Sequence, residues 1–423
     1  SNTKAEVSYG DIETWINNTV TATPLAPDTV VTRESLAALD PWVAPGLRDE
    51  FDFPELSIEI QATIDYPPHQ SYRAATERFA GEATLGADNT LQNYTAGKPF
   101  SDEQLEAVSP EQAGFMVAWN QFHRWQYTGY QIKELTMTYI DAVAGGENLD
   151  PEFALYGGGQ ITRRLHQAYH RVYLSHLAWL PNAGYRFDVP DSDTRYFKDY
   201  IEFLAPFDVK GTSFVVERHL DPLADDQVNI YSPTERRVRR FSAKERADRF
   251  MGSEATLDDF EGFSGRVMDY RWKYLGTRAI LMVADAKNPI NHGIGPYSRF
   301  PGDRWQIRDC YVVEVKSTWE AHPYGSRVLF FDKQTMSTQL SLIFDHDGKL
   351  WKTMIPIFRG PTENHSADYT IETSVASWRG QFNVDRQSNT STVVQAITNT
   401  THPTMTKAKI KRKFSVSNLS SGR

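Results

Sequence analysis

The residues most suggestive of chemistry are His166, His170 and His176. The first two share a face of a helix, and all three share a face of a strand because their numbers have one parity. A zinc-protease motif needs Glu directly after the first histidine, and Gln167 stands there. The expectation is therefore a row of polar side chains on a wet sheet face, beside Arg163, Arg164 and Arg171. Asp345-His346-Asp347-Gly348-Lys349 begins like a calcium loop, but Lys349 occupies the next alternate position, so the segment reads as a hairpin turn. Gly157-Gly158-Gly159 lacks the lysine and the strand–turn–helix setting of a phosphate cradle and reads as a connector. The sequence has no Gly-x-Ser-x-Gly elbow. Its single cysteine, Cys310, lies in an apolar strand pattern, unlike the exposed electropositive seat of a catalytic thiol.

Carboxylates cluster at Glu254, Asp258, Asp259 and Glu261. Helical spacing would bring Glu254 and Asp258 together, as in a hydrolase pair. A simpler reading has Ser253 or Thr256 capping a helix whose first turn carries negative charge. Arg236-Arg237-Val238-Arg239-Arg240 reads as an edge strand ion-paired with Glu235, Glu245 and Asp248. Lys407, Lys409, Lys411, Arg412 and Lys413 make a second cationic patch, a solvated helix face or a contact for an anionic membrane surface or acidic partner. None of these groupings assembles a catalytic set, a metal site or a cofactor site.

The balance of 45 Lys plus Arg against 54 Asp plus Glu, net -9, argues against a protein devoted to gripping nucleic acid. With 423 residues, 40% of them apolar, the chain can bury a substantial core. Aromatics at 13% point to a β-rich core or to an apolar cavity. The densest apolar run, 278–284, is far too short to cross a bilayer. The sequence starts at Ser1-Asn2, and an export leader is expected to be absent from it.

Prolines punctuate the first hundred residues, so 1–100 reads as an arm wrapping the main domain, 101–423. The arm holds a short helix over 32–40 capped by Thr32 and two strands around a tight turn in 83–94. Ser109, Pro110 and Glu111 start a helix that runs to Gln126. The period then shortens to two at Leu135, Met137 and Tyr139. Strand-like blocks follow at 214–218, 229–231, 236–241, 279–284, 310–316, 327–332, 339–344, 350–357 and 369–374. Residues 388–401 are polar and read as a loop or edge segment, and 404–413 as a short basic helix. Many strands at short spacing, with few helices between them, predict a mainly β fold with some helices (α+β) built on a large antiparallel sheet.

Tyr231-Ser232-Pro233-Thr234-Glu235-Arg236 followed by Asp248-Arg249-Phe250-Met251-Gly252-Ser253-Glu254 resembles the lipoprotein-sorting carrier superfamily (LolA-like and LolB-like), where such a strand precedes a helix that covers a cavity. More closely, the chain resembles a bacterial family of unknown function, number 1329, often labelled outer-membrane lipoprotein-sorting protein. Tyr66-Pro67-Pro68-His69, Ala96-Gly97-Lys98-Pro99-Phe100, Pro206-Phe207-Asp208-Val209-Lys210-Gly211-Thr212 and Gly262-Phe263-Ser264-Gly265-Arg266-Val267 carry that likeness, which runs from about Tyr66 to the C-terminus. The resemblance implies a strongly curved antiparallel sheet, an open half-barrel covered by helices, in an exported, periplasmic protein. It also implies an acyl-chain cavity and a hydrophobe-exporting inner-membrane transporter as partner. It supplies no catalytic residue and no cofactor.

The expected function is binding and transfer of a lipid or other hydrophobe, without a reaction. Trp119, Trp125, Met137, Tyr139, Phe214, Val216, Met251, Phe260, Phe263 and Met282 are the expected wall of the cavity. Two alternatives stand beside it: an adaptor that docks a transporter through its surface, and a lipid or glycan hydrolase using the carboxylates of 254–261.

Overall fold

Apolar residues at every second position need something to cover them, and two different layers do so here. The computed structural model describes residues 5–142, 159–287, 293–361 and 370–420, so Gly157 and Gly158 of the expected connector lie outside the described residues. In chain order the strands are β1 (Val30–Thr32), β2 (Ser57–Ile60), β3 (Thr84–Leu85), β4 (Leu91–Gln92), β5 (Gly129–Asp141), β6 (Gln160–Tyr173), β7 (Arg195–Ala205), β8 (Ser213–His219), β9 (Gln227–Ser232) and β10 (Arg237–Arg240). They continue with β11 (Tyr270–Met282), β12 (Gly293–Ile294), β13 (Phe300–Pro301), β14 (Arg304–Ser317), β15 (Ser326–Asp332), β16 (Thr338–Phe344), β17 (Leu350–Arg359), β18 (Ser377–Asp385) and β19 (Thr390–Ala396). The helices are α1 (Tyr9–Asn17), α2 (Gln70–Arg78), α3 (Asp102–Glu106), α4 (Pro110–Phe122), α5 (Lys407–Lys413) and α6 (Val416–Leu419). None of them is long and apolar enough to cross a membrane.

The main sheet runs β1-β2-β14-β15-β16-β17-β18-β19-β5-β6-β7-β8-β9-β10, with β11 paired to β14. It is mainly antiparallel; the short β2–β14 contact is parallel. The sheet does not close, and it is strongly curved. In a flat sheet β18 and β8 would lie about 24 Å apart. Yet Phe214 on β8 reaches Trp378 on β18 through just two rings, Phe250 and Phe260, with centroid steps of 5.4, 5.2 and 6.4 Å. A sheet bent around those rings accounts for this.

Parity then sorts the side chains. Cys310, Val312, Val328, Phe330, Leu340, Leu342 and Ile355 point outward, where Ile12, Leu36, Leu39, Trp42, Phe51 and Ile58 of the N-terminal arm pack on them. Tyr311, Val313, Val315, Leu329 and Phe331 point inward against α4 and Trp272 of β11. With both faces covered, β15 and β16 are buried at every position, including polar Arg327, Gln339 and Ser341. Cys310 is fully buried; burial, with the Asp332 carboxylate nearby, pushes its thiol well above the usual range. A thiol reagent is therefore expected to leave the native protein unlabelled and to titrate one cysteine after denaturation. Labelling of the native protein would contradict this packing.

Three expectations need correction. Residues 390–396 are neither loop nor edge but the central strand β19, between β18 and β5. Val393 packs outward and Val394 inward, while Thr392 and Thr390 bond the polar segment that covers them, so a polar composition conceals a buried strand. The expected strand over 369–374 is not formed in its described part: Tyr369 lies outside the described residues, Glu372–Ser374 is a 3-10 turn, and the strand starts at Ser377. Thr373 and Ser374 bond local backbone at Thr370 and Ile371, the competition that short polar side chains offer a ladder. The histidine row is not a wet face. His170 is buried under Phe414, His176 leaves the strand with φ 56, and Arg171 points to the opposite face. Elsewhere local signals hold: Ser109 caps α4 with Pro110 at its first position, and Asp345 to Lys349 is a hairpin turn. Arg237 and Arg239 on β10 pair with Glu235 and Glu245.

Candidate functional site

The inner face has two zones of opposite chemistry. One is apolar: Leu135 and Met137 of β5, Leu165 and Tyr169 of β6, Ile201 and Phe203 of β7, Phe214 and Val216 of β8, Phe358, Trp378 and Val394. The other, on β15 to β19, is polar although buried, with Arg327, Lys352, Gln381, Asn383 and Thr392 pointing inward. A single stretch, residues 250–263, lies across both.

That stretch is not a regular helix. It runs as two 3-10 turns, Phe250–Gly252 and Leu257–Gly262, the second capped by Thr256 with Asp259 answering in a capping box. Met251 and Gly252 at one end, and Glu261 and Gly262 at the other, hold positive φ. Non-glycine residues in that region cost about 1–3 kcal/mol each and persist where packing dictates them. On the apolar zone the stretch lays down Phe250, Leu257 and Phe260. On the polar zone it is bonded. Glu254 N–H donates to Thr392 Oγ1 at 3.0 Å, and Lys352 Nζ donates to the Glu254 carbonyl at 2.9 Å. Gln381 donates to the Asp259 carbonyl at 2.9 Å and accepts from Gly262 N–H at 2.8 Å.

Ion pairs complete the anchorage. Asp259 pairs with Arg327 and accepts from Tyr324 Oη at 2.9 Å. Asp258 accepts from Arg246 at 2.7 Å and from Tyr270 Oη at 2.6 Å. Although burial alone would raise its carboxyl, Arg246 and the Tyr270 hydroxyl bring it down to about 2. Glu261 accepts from Arg124 at 2.8 Å, with Arg171 beyond it at 3.8 Å. Arg171 is itself doubly bonded to Asp199 at 2.7 and 2.8 Å. The ladder continues from Arg246 through Asp226 to Arg218. All four carboxylates singled out in the sequence are thus bound to cations or hydroxyls, and Asp258 and Asp259 face different arginines instead of each other.

Gly262 is fixed by this contact. At φ +82 an added Cβ would stand 2.6 Å from both Pro356 Cγ and Thr338 Cγ2. Gly262→Ala is expected to cost about 2 kcal/mol in urea unfolding and to raise binding of an apolar dye as the cover lifts. A variant with unchanged midpoint and dye binding would show that the close approach does not hold the cover.

Of the ten expected wall residues, six meet here: Met137, Phe214 and Val216 on the strands, with Tyr139, Met251 and Phe260 packed against them. Tyr139 Oη donates to the Met251 carbonyl at 2.8 Å, tying β5 to the cover. The other four lie elsewhere. Trp119 and Phe263 belong to the cluster around α4, Trp125 packs with Tyr72 and Val375, and Met282 lies under the N-terminal arm on the outer face. A crevice of about 10 Å³, room for at most one water, lies between Val216, Leu257 and Phe260 and the charged Arg171, Asp199, Arg218 and Arg246. The expected hollow is filled by the cover. Sequence reasoning misses Arg327, Lys352 and Gln381; the signal available is a cation or amide at an inward position of an otherwise apolar strand.

No curated protein matches the chain. Among solved structures, a domain described as an outer membrane lipoprotein-sorting protein from Vibrio parahaemolyticus is similar, with 18% identity over 73% of this chain and 99% of that one, TM-score 0.47. A DUF1329 family protein from Desulfovibrio piger shares 16% identity over 74% of this chain and 100% of its own, TM-score 0.47. A LolA superfamily protein from Nitrosomonas europaea shares 12% over 72% and 97%, TM-score 0.36. The model of one family, described as "Protein of unknown function (DUF1329)", matches residues 52–420, and the chain belongs to that family.

Proposed function

We propose that the chain is a periplasmic carrier that holds a lipid or another hydrophobic molecule against the concave face of its sheet. The observation that carries this reading is the cover. An apolar surface from β5 to β8, interrupted by Gln167 of β6, is closed by three side chains, Phe250, Leu257 and Phe260, on a short irregular segment with positive-φ residues at both ends. An alkyl chain that replaced them would gain about 0.8 kcal/mol per buried methylene, so a dozen methylenes supply about 10 kcal/mol. That is comparable with the cost of breaking two buried ion pairs, about 3–5 kcal/mol each. The guest therefore lifts one end of the cover while the rest of its four paired carboxylates stay anchored. The closed form is the resting form, and the guest supplies the energy that opens it. Trp378 Nε1 and Gln167 Oε1 are buried beside this surface without hydrogen-bond partners, and a polar head on the guest would satisfy them.

A membrane transporter of the hydrophobe-exporting type is the partner this reading calls for, with the basic face of α5 as a contact for an anionic membrane surface. The adaptor alternative asks for a broad exposed apolar patch. Among the described residues, the exposed large apolar side chains are scattered: Val30 lies on β1, and Phe207, Leu223 and Ile397 lie in three separate loops. The hydrolase alternative asks for carboxylates that face each other, and these face arginines and lysine.

Titration with a pyrene-labelled fatty acid tests the reading through variants of opposite sign. Phe260→Ala leaves space under the cover and is expected to tighten binding about tenfold, as an engineered apolar cavity takes up a guest. Val216→Glu places a carboxylate in the same surface and is expected to abolish binding with the circular dichroism unchanged. If both variants bind as the parent does, the guest does not sit here.

A further inference from the structure

A second hollow, of about 170 Å³, opens at the C-terminal end of α4, and no residue of the apolar cluster under the cover lines it. Its wall combines the rings of Tyr94, Trp119, Phe122, His123 and His176 with polar Asn93, His219, Asp221 and two arginines. The His123 ring lies 4.2 Å from Tyr94, 4.9 Å from Phe122 and 5.0 Å from His176 between centroids. His176 Nδ1 donates to the Thr95 carbonyl at 2.7 Å, so that nitrogen is accounted for. His123 is different. It is only 6% exposed, and its Nδ1 has no hydrogen-bond partner. Nδ1 is closed off from the hollow, whereas Nε2, the accessible nitrogen of a ring that lines it, has no hydrogen-bond partner either. The cations at the mouth are spoken for: Arg218 is doubly bonded to Asp226, and Arg266 is paired with Asp225 and Asp269. Burial keeps both imidazoles below their usual pKa, hence neutral. Nothing in the pocket asks for a charged ligand.

We propose that this pocket binds a neutral, hydroxyl-bearing ring of phenol size, free or as the head of a longer hydrophobe, with the hydroxyl hydrogen-bonded to His123 Nε2. Size fits, since an apolar cavity of roughly 150 Å³ accepts benzene. A hydroxyl fits better than a carbonyl or an amine because it donates and accepts, and so serves either tautomer of a neutral imidazole. Stacked and edge-on aromatic neighbours suit a ring more than an alkyl chain. The site does not depend on the carrier reading.

Calorimetric titration of the full chain with phenol, benzene and 4-octylphenol tests it. Phenol is expected to bind at one equivalent, roughly tenfold more tightly than benzene, in proportion to one hydrogen bond to a buried group. His123→Phe is expected to remove that preference. Tighter binding of 4-octylphenol than of phenol identifies the ring as the head of a longer hydrophobe, and weaker binding identifies a free ring; either order sustains the site. Phenol binding no tighter than benzene in the parent protein, a comparison that needs no variant to fold, overturns the proposal. So does a tenfold preference that survives in His123→Phe.

Discussion

Arg327→Met is expected to lower the unfolding free energy by about 3–5 kcal/mol, the largest single-site effect in the molecule. Arg327 and Asp259 are 1% and 0% exposed, and the guanidinium also lies over the rings of Phe263 and Tyr324 at 5.4 and 4.9 Å. Removing it strands a carboxylate that water does not reach. The hydroxyls of Thr256 and Tyr324 stay, but they are dipoles and cannot replace a charge. Asp259→Asn keeps those hydrogen bonds and drops the charge, so the double variant is expected to recover part of the loss, with a coupling of about 2 kcal/mol. Urea unfolding of the parent, both single variants and the double variant measures it. Additive losses would show that the two groups do not act as a pair. Because Asp259 sits in the cover and Arg327 on β15, the same variant is expected to bind an apolar dye in its native state.

Mild acid is the second lever. Burial, helped by Lys413, brings His170 down to about 3, and burial together with the Arg327 charge brings His322 down to about 4. Both rings are neutral in the folded protein and gain a proton on unfolding once the pH drops below about 6.5. Stability is therefore full above that value and falls with pH down to the folded pKa values. Between pH 6.5 and pH 5 each histidine accounts for about 2 kcal/mol, so the two together remove about 4 kcal/mol. Asp258, held at about 2, stays ionised through this window and adds nothing. Asp269, pushed up to about 6 by burial, works in the opposite direction, but its side chain is 38% exposed and paired with Arg266, so its share is smaller. His123, His176 and His402, likewise lowered by burial, steepen the same slope. Urea midpoints at pH 7 and pH 5 test it, and His170→Leu is expected to remove about 2 kcal/mol of it. Equal midpoints at the two pH values would mean that these histidines are hydrated.

The contrast between legible and hidden features follows the range of the interactions. Ser109, Pro110 and Glu111 announce α4 because capping is settled within four residues. The hairpin from Asp345 to Lys349 and the paired edge strand Arg237–Arg240 are equally local. β19 is hidden because its threonines bond a cover 136 and 138 residues away in the chain, and no window of sequence contains both sides of that contact. The same holds for Arg327 and Asp259, 68 residues apart. The carboxylates of 254–261 mark the right place, yet their charge anchors a cover and does not serve acid–base chemistry. Met137, Phe214 and Val216 are legible as strand residues facing a common surface, since alternation fixes the face. Met282 follows the same alternation, but its strand lies on the far edge of β14 and its side chain meets the N-terminal arm. Alternation assigns a face and leaves open which layer covers it.

The most direct measurement of the carrier claim is photolabelling of the protein with a long-chain fatty acid that bears a diazirine near its tail, followed by mass-spectrometric mapping of the adducts. A carrier of this design is expected to take up label on β5 to β8 and on Phe250, Leu257 and Phe260, suppressed by excess unlabelled fatty acid. Adducts confined to the arm, α5 or scattered surface positions, unaffected by competitor, would contradict it.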